Sequence, residues 1–247
     1  YSAPTASFGF KAASSQKVST VIILAPSHLY SFEGASVWPE GAFETPLGVL
    51  EVDKELASRF MAVDRRFIFR RDVFEGSPGR PENSVETQLP LIKKIFPSAK
   101  IVPVIVGYPP DVEMVKTIAS ALDAAIGDRT DVLIDISVDQ SHFHSLKEAR
   151  VIDARGLKAI EDMDINGFWN GHAKGEMEVD GFHVVTAGML YAQARGFDKV
   201  KVLHYGTSAD ETGDSSSVVG YASVVFYREA SAATGDEVAK NKLTPEQ

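Results

Sequence analysis

Short apolar runs alternate with amphipathic stretches along most of the chain, and that alternation predicts strands and helices in turn. Val18–Ala25, Leu47–Val52, Phe67–Phe69, Lys100–Val106, Val132–Ile136, Val200–Tyr205 and Val218–Phe226 read as strands. Between them, Pro4–Ala13, Lys54–Ala62, Pro109–Ile126, Leu146–Met163, Ile165–Asn170 and His183–Arg195 carry helical spacing. Asp53 is placed to cap the second of these, and Gly196 to end the last. Ser84 is a candidate cap for a helix over Val85–Phe96, inside which Pro90 either kinks the helix or marks its true first turn. Leu29–Thr45 and Arg70–Asn83, rich in Gly, Pro and polar residues, read as irregular segments, the first long enough to fold over a pocket. The pattern predicts one α/β domain over residues 1–229, a central mixed, largely parallel sheet flanked by helices. A polar tail, frayed or a loosely docked helix, is expected over 230–247.

Two strands stand out for the polar residues at their carboxyl ends. Asp131–His144, DVLIDISVDQSHFH, begins as an almost unbroken apolar strand and turns abruptly to Ser137, Asp139, Gln140, Ser141, His142 and His144. Val21–Ala25 is likewise apolar and runs straight into Pro26, Ser27 and His28. Open α/β sheets keep their sites beyond the carboxyl ends of such buried strands. Two strands delivering imidazoles to one rim predict a pocket able to hold a metal ion or handle protons.

Composition narrows the setting. The 247 residues include no cysteine, which removes disulfides and thiolate ligands, and the formal net charge of −9 argues against a large nucleic-acid-binding surface. No apolar run reaches membrane-spanning length, so neither nucleic acid nor membrane is an expected partner, and the expected setting is the cytoplasm. The chain begins at Tyr1, without Met or a signal-like segment, so the translation start is expected to lie upstream.

A series of motifs then resembles one family. Ala25-Pro26-Ser27-His28, Glu44-Thr45-Pro46-Leu47-Gly48, Glu82-Asn83-Ser84-Val85-Glu86-Thr87-Gln88-Leu89-Pro90 and Ser137-Val138-Asp139-Gln140-Ser141-His142-Phe143 follow the order of the Memo family's motifs. Thr207-Ser208-Ala209-Asp210, Gly213-Asp214 and Val218-Val219-Gly220-Tyr221 continue it, so the resemblance runs from about Tyr1 to about Tyr227. It implies a fold like that of class III extradiol dioxygenases. It also implies an AmmeMemoRadiSam system protein B-like chain, with radical SAM and AMMECR-like proteins as partners. The animal member is described as a cell-motility effector that binds phosphopeptides and redox metals. The sequence departs from the pattern at three places. The family's Pro-His-Ala-Gly histidine and first strand are expected ahead of Tyr1, Asn83 stands where a histidine is usual, and Asp180-Gly181 is the best match to a Cys-Gly pair.

The candidate chemical residues emerge from both readings. His28, Asp180 and His142 are the expected metal ligands, two imidazoles and a carboxylate, an arrangement suited to Fe(II), with Zn or Cu as alternatives. Asp139 and His142, three residues apart, form an expected acid–base pair, and Glu82 is a further acid–base or substrate-contact group. The alternatives for each are structural: His28 bonded to backbone, Asp139 capping a turn, Asp180 capping the next helix. Glu86 is explained by the helix dipole, His144 as a solvent-exposed neighbour, His172 as a loop residue, His183 as a first-turn helix residue and His204 as a satisfied core histidine. Trp38 and Phe43 are expected at the pocket mouth. Two functions remain open: a non-haem metal-dependent, oxidoreductase-like enzyme acting on a small molecule, or a non-catalytic module binding a peptide or small ligand in the same cleft. A hydrolase using Ser27 or Ser141 is disfavoured, since neither sits in a Gly-flanked elbow.

Overall fold

The computed structural model describes residues 1–228, so the expected tail over 230–247 lies outside the described residues. Helix α1 (Ala3–Ala13) leads into strand β1 (Thr20–Ser31), whose first residues are buried on both faces. Short strands β2 (Ala35–Val37), β3 (Ala42–Thr45) and β4 (Gly48–Glu51) precede helix α2 (Lys54–Met61). Asp53 caps α2 by accepting from Leu56 N–H. Strand β5 (Phe67–Ile68), helices α3 (Arg71–Glu75) and α4 (Leu89–Ile95), strand β6 (Lys100–Tyr108) and helix α5 (Val112–Ile126) complete the first half. The second half is β7 (Val132–Ile136), β8 (His142–His144), α6 (Leu146–Glu161), α7 (Ile165–Ala173), α8 (Phe182–Ala194), β9 (Lys199–Thr207), α9 (Ala209–Thr212) and β10 (Val218–Tyr227).

A five-stranded sheet in the order β5-β2-β6-β1-β7 forms the centre, parallel except where β2 runs against β6. Its middle strands, β6 and β1, bury every residue along Ile101–Gly107 and Thr20–Pro26, which is why they read as continuous apolar runs. Helix α8 lies against β1 and β7 and packs on α5. A second sheet, β8-β10-β9, is antiparallel, and β3 and β4 make a separate hairpin. Among the described residues no helix is long and apolar enough to cross a membrane.

Several boundaries differ from the pattern. Leu29–Thr45 is not irregular throughout: Ala35, Ser36 and Val37 are buried and join the central sheet. The helix expected from Val85 starts only at Leu89, because Pro90 occupies its first turn, where the missing N–H costs nothing. Ser84 therefore caps nothing, and Glu86 sits in the turns ahead of the helix rather than on its dipole. Trp38 and Phe43 do not line the cleft; they pack edge-on with one another, and Trp38 also with Phe69 and Phe74.

The two sheets approach each other at one end only. Near the rim, Gln140 N–H donates to Gly220 O and Gly220 N–H to Ser141 O, tying the exit of β7 to β10. Asp153 of α6 locks this junction: fully buried, it accepts from Ser141 N–H at 2.9 Å and from Tyr205 O–H at 2.7 Å. A Cβ on Gly220 would stand 2.1 Å from the Asp153 carboxylate, so only glycine fits there. Away from the rim the strands diverge around a cavity of about 840 Å³, lined by Val132–Ile136 on one side and Tyr221–Phe226 on the other.

Asp153→Ala leaves a backbone N–H and a phenol without their buried acceptor, and should destabilise the fold by about 2–3 kcal/mol in urea unfolding. Tyr205→Phe, which removes a single donor, should cost less; equal losses would contradict the assigned geometry.

Candidate functional site

His28 lies beyond the regular part of β1, where pairing with β6 breaks after Pro26 and resumes only at Ser31. The bulge turns its imidazole into a cleft at the carboxyl edge of β1 and β7. Both ring nitrogens are engaged by carboxylates. Nδ1 meets Glu82 Oε1 at 2.9 Å, and Nε2 meets Asp180 Oδ2 at 2.7 Å. Glu82 is the buried anchor of the group, only 5% exposed. It also accepts from the backbone N–H groups of His28, Asn83 and Ser84, so four donors surround one carboxylate.

These contacts fix the charges. Bonds from Asp180 and Glu82 raise the His28 pKa to about 10, against the opposing effect of burial. Burial alone would raise the Glu82 pKa, but His28 and the Ser84 N–H outweigh it and bring it down to about 2. At neutral pH the group is an imidazolium held between two carboxylates. Glu82 is thus a fixed carboxylate with its oxygens occupied, rather than an acid poised to give up a proton.

His142 stands across the same cleft. Its Nε2 is 3.7 Å from Asp139 Oδ2, an ion-pair distance rather than a hydrogen bond, and Nδ1 lies 3.1 Å from Gln140 O. The Asp139 carboxylate raises the His142 pKa, partly offset by burial. The residue belongs not to a turn but to strand β8, which pairs with Val218 and Val219 of β10. Three residues of β8 face two of β10, and the extra one, Phe143, adopts a left-handed conformation with φ 63° and projects into solvent.

Asp180 N–H donates to Asp139 O at 3.0 Å, so the two loops that carry the site are bonded directly. The Asp180 side chain caps no helix; left-handed Gly181 precedes α8, and its Cβ would press within 2.8 Å of Pro26 and Val138. His28, Asp139, His142, Asp180 and Glu82 all line one cavity, as the strand-end pattern predicts. A smaller adjoining cavity of about 410 Å³ brings in His172, Glu178 and His183.

The remaining histidines depart in part from the sequence pattern. His172 is helical, in α7, and stacks on Phe182 with ring centroids 3.7 Å apart. His144 is not a free surface residue: its Nε2 is 2.7 Å from Glu178, whose other oxygen accepts from His142 N–H. Nothing in the sequence of Glu176–His183 distinguishes Glu178 from its acidic neighbours, so its role shows only in three dimensions. His183 does sit in the first turn of α8, buried, with neither ring nitrogen partnered, and desolvation lowers its pKa to about 4. His204 is only half-buried, 3.3 Å from Thr5 Oγ1 and stacked on Phe8, and does not itself line the cleft.

The fold and the site define an α/β protein with an imidazole–carboxylate cleft at the rim of a mixed sheet. Its relatives place it more closely. The Memo-like protein family matches residues 1–225. A MEMO1 family protein of Nitrosopumilus maritimus is 32% identical over 92% of the chain and 80% of its own length. Those of Caldivirga maquilingensis and Thermotoga maritima are each 29% identical, over 92% of the chain and 79% of theirs. The chain belongs to the Memo-like protein family.

A metal ion, which the family resemblance implies, needs donors with free lone pairs. Among the described residues no group of three or more His, Asp or Glu side chains is arranged to hold one. His28, as arranged here, offers no lone pair, since both nitrogens face carboxylates. His142 is turned to Asp139 and to a backbone carbonyl. The expected trio of His28, Asp180 and His142 shares a cavity, but only His28 and Asp180 touch, and they touch as an ion pair. The donor set in this arrangement does not fit a divalent ion.

The pKa directions set a pH profile. The His28 contribution, with its pKa raised from 6.5 to about 10, is fully present below pH 6.5 and lost as pH climbs through 10. The Glu82 contribution, lowered from 4.5 to about 2, is fully present above pH 4.5 and lost as pH falls through 2. Thermal unfolding should therefore show greatest benefit from the pair between pH 4.5 and 6.5. His28→Gln should flatten the decline between pH 6.5 and 10, and a variant with the wild-type profile would refute the ion pair.

Proposed function

We propose that the protein is a ligand-binding member of its family, whose strand-end cleft takes a small polar molecule without a resident metal ion. The observation that supports this most directly is the double engagement of His28, which makes it a fixed cation instead of a ligand. Around it the cleft offers what small-molecule sites commonly offer, a few placed polar groups in an otherwise apolar enclosure. Asp139 supplies an acceptor at the mouth, and Arg80 and Asn83 line the approach. His183 lines the adjoining cavity with its ring nitrogens unbonded, so a neutral imidazole there has one donor and one acceptor left to give.

A second reading, turnover of the bound molecule, has one observation in its favour. His142 is the imidazole in the cleft not locked between two carboxylates, and Asp139 beside it favours the protonated form. That is the arrangement of a group able to give a proton to a ligand and take it back. On this reading Asp139 orients and polarises His142, and Glu82 acts only through His28.

Elemental analysis of protein purified without chelator separates these readings from the metal-centred one. The expected result is iron, zinc and copper each far below one equivalent, in the wild type and in the His28→Ala/His142→Ala variant alike. Metal near one equivalent that vanishes in the double variant would overturn the proposal. In the same preparations, NMR titration with a library of small polar fragments should shift the His142 ring proton signals, and His142→Ala should weaken fragment binding at least five-fold.

A further inference from the structure

Beside the cleft, the adjoining cavity of about 410 Å³ has a wall that the His28 ion pair does not use. His183, in the first turn of α8, is 2% exposed and lines this cavity, yet neither ring nitrogen has a hydrogen-bond partner. A buried imidazole with nothing bonded to it is unfavourable, and the groups around it indicate what would relieve it. His172 of α7 adds a buried Nδ1 that is also without a partner. Asp180 lines the same cavity; His28 takes its Oδ2, whereas its Oδ1 has no hydrogen bond among the described residues. It stands near enough to His183 for its charge to act on the ring.

The unengaged groups of this wall favour a donor. Ser27 O–H donates to Tyr30 O, and both oxygens of Glu178 are taken, by His142 N–H and by His144. There remain the Asp180 oxygen and, on a His183 ring that burial keeps neutral, one lone pair and one N–H. An anion would meet the Asp180 carboxylate, and a neutral hydroxyl would bond without answering its charge. The half-exposed Tyr108 ring, 6.3 Å from that of His183, lines the cavity too and offers the aromatic face that attracts a cation.

We infer that this cavity binds the ammonium head of a small organic amine, which donates to Asp180 Oδ1 and to His183 and lies against the Tyr108 ring. The inference rests on the reading of the cleft as a small-molecule site and names the class of molecule. A primary ammonium brings three N–H donors and no acceptor, which is the complement of this wall. It takes the Asp180 oxygen that His28 leaves, so the imidazolium and its two carboxylates stay as they are. His28, His142 and Asp180 line both cavities, so the rest of the molecule extends from this one into the larger cleft.

NMR titration with three probes of one size tests this: ethanolammonium, n-propanol, in which a methyl replaces the ammonium, and glycolate, in which a carboxylate does. Ethanolammonium should shift the His183 and His172 ring proton signals and bind at least ten-fold tighter than n-propanol, with glycolate weakest. Asp180→Asn, which keeps the shape and removes the charge, should bring that ratio below three-fold. Tyr108→Leu should weaken ethanolammonium about three-fold and leave n-propanol unchanged. Should Asp180→Asn fail to fold, the wild-type ratio and the exposed Tyr108 variant decide. Binding of n-propanol or glycolate as tight as that of ethanolammonium would overturn the inference and leave the small-molecule reading standing. So would ethanolammonium binding that leaves the His183 signals unmoved. If no probe binds and no polar fragment moves the His142 signals, both fall together.

Discussion

One buried carboxylate holds the site together. Glu82 sits where water cannot reach it, and a carboxylate in such a place is tolerable only if its oxygens are fully bonded. Four donors meet that need, and three of them are backbone N–H groups whose positions are set by the chain path. The fourth is the His28 ring, so the imidazole is oriented by the same requirement that makes the burial possible. Asp180 then completes the other side of the ring and, through its own N–H, holds the Asp139 loop. Removing Glu82 would release the ring, and with it the register between three separate segments of the chain.

The same logic of satisfied polar groups explains the junction of the two sheets. Where β7 and β10 meet, at Gln140, Ser141 and Gly220, the backbone is paired and Asp153 closes the remaining donors. Where they part, the backbone edges face the cavity. The site lies at the paired end of that same cavity. Beyond that end β7, an apolar strand, remains only half-buried along its length. Asp135 reports the same boundary: desolvation raises its carboxyl pKa to about 7, the mark of an acid enclosed without a partner.

Much of this was legible from residues whose signals are local. Asp53, Gly196 and the apolar runs of β1, β6 and β7 announce caps, ends and buried strands by residue type alone, and the strand-end rule brings His28, Asp139 and His142 to one rim. The features that stayed hidden depend on tertiary partners. Ala35–Val37 is too short to show a period, and joins the sheet because β6 offers an edge. The strand character of His142–His144 comes from Val218 and Val219, more than seventy residues away in sequence. Pro90 allows two readings, and only packing chooses between a kinked long helix and a short one. The partnership of Glu82 with His28 joins residues far apart in the chain and has no sequence signature; Glu82 is a candidate for its chemistry, and its burial gives it another role.

The charge state of His28 decides how the site is to be understood. An imidazole becomes a metal ligand by offering a lone pair, and here that pair is committed to a proton which two carboxylates hold in place. Any metal cation entering the cleft must displace that proton, and the carboxylates that would welcome a divalent ion are the ones stabilising the imidazolium. Asp180 works in the same direction: it puts a second negative charge beside the ring, and so a second reason for the ring to stay protonated. The carboxylate that looks, by composition, like a substitute ligand is in this geometry the counter-charge of the histidine it would have joined. The cleft is then left with one imidazole, His142, free to answer to a bound molecule, and with Asp139 positioned to favour its protonated form.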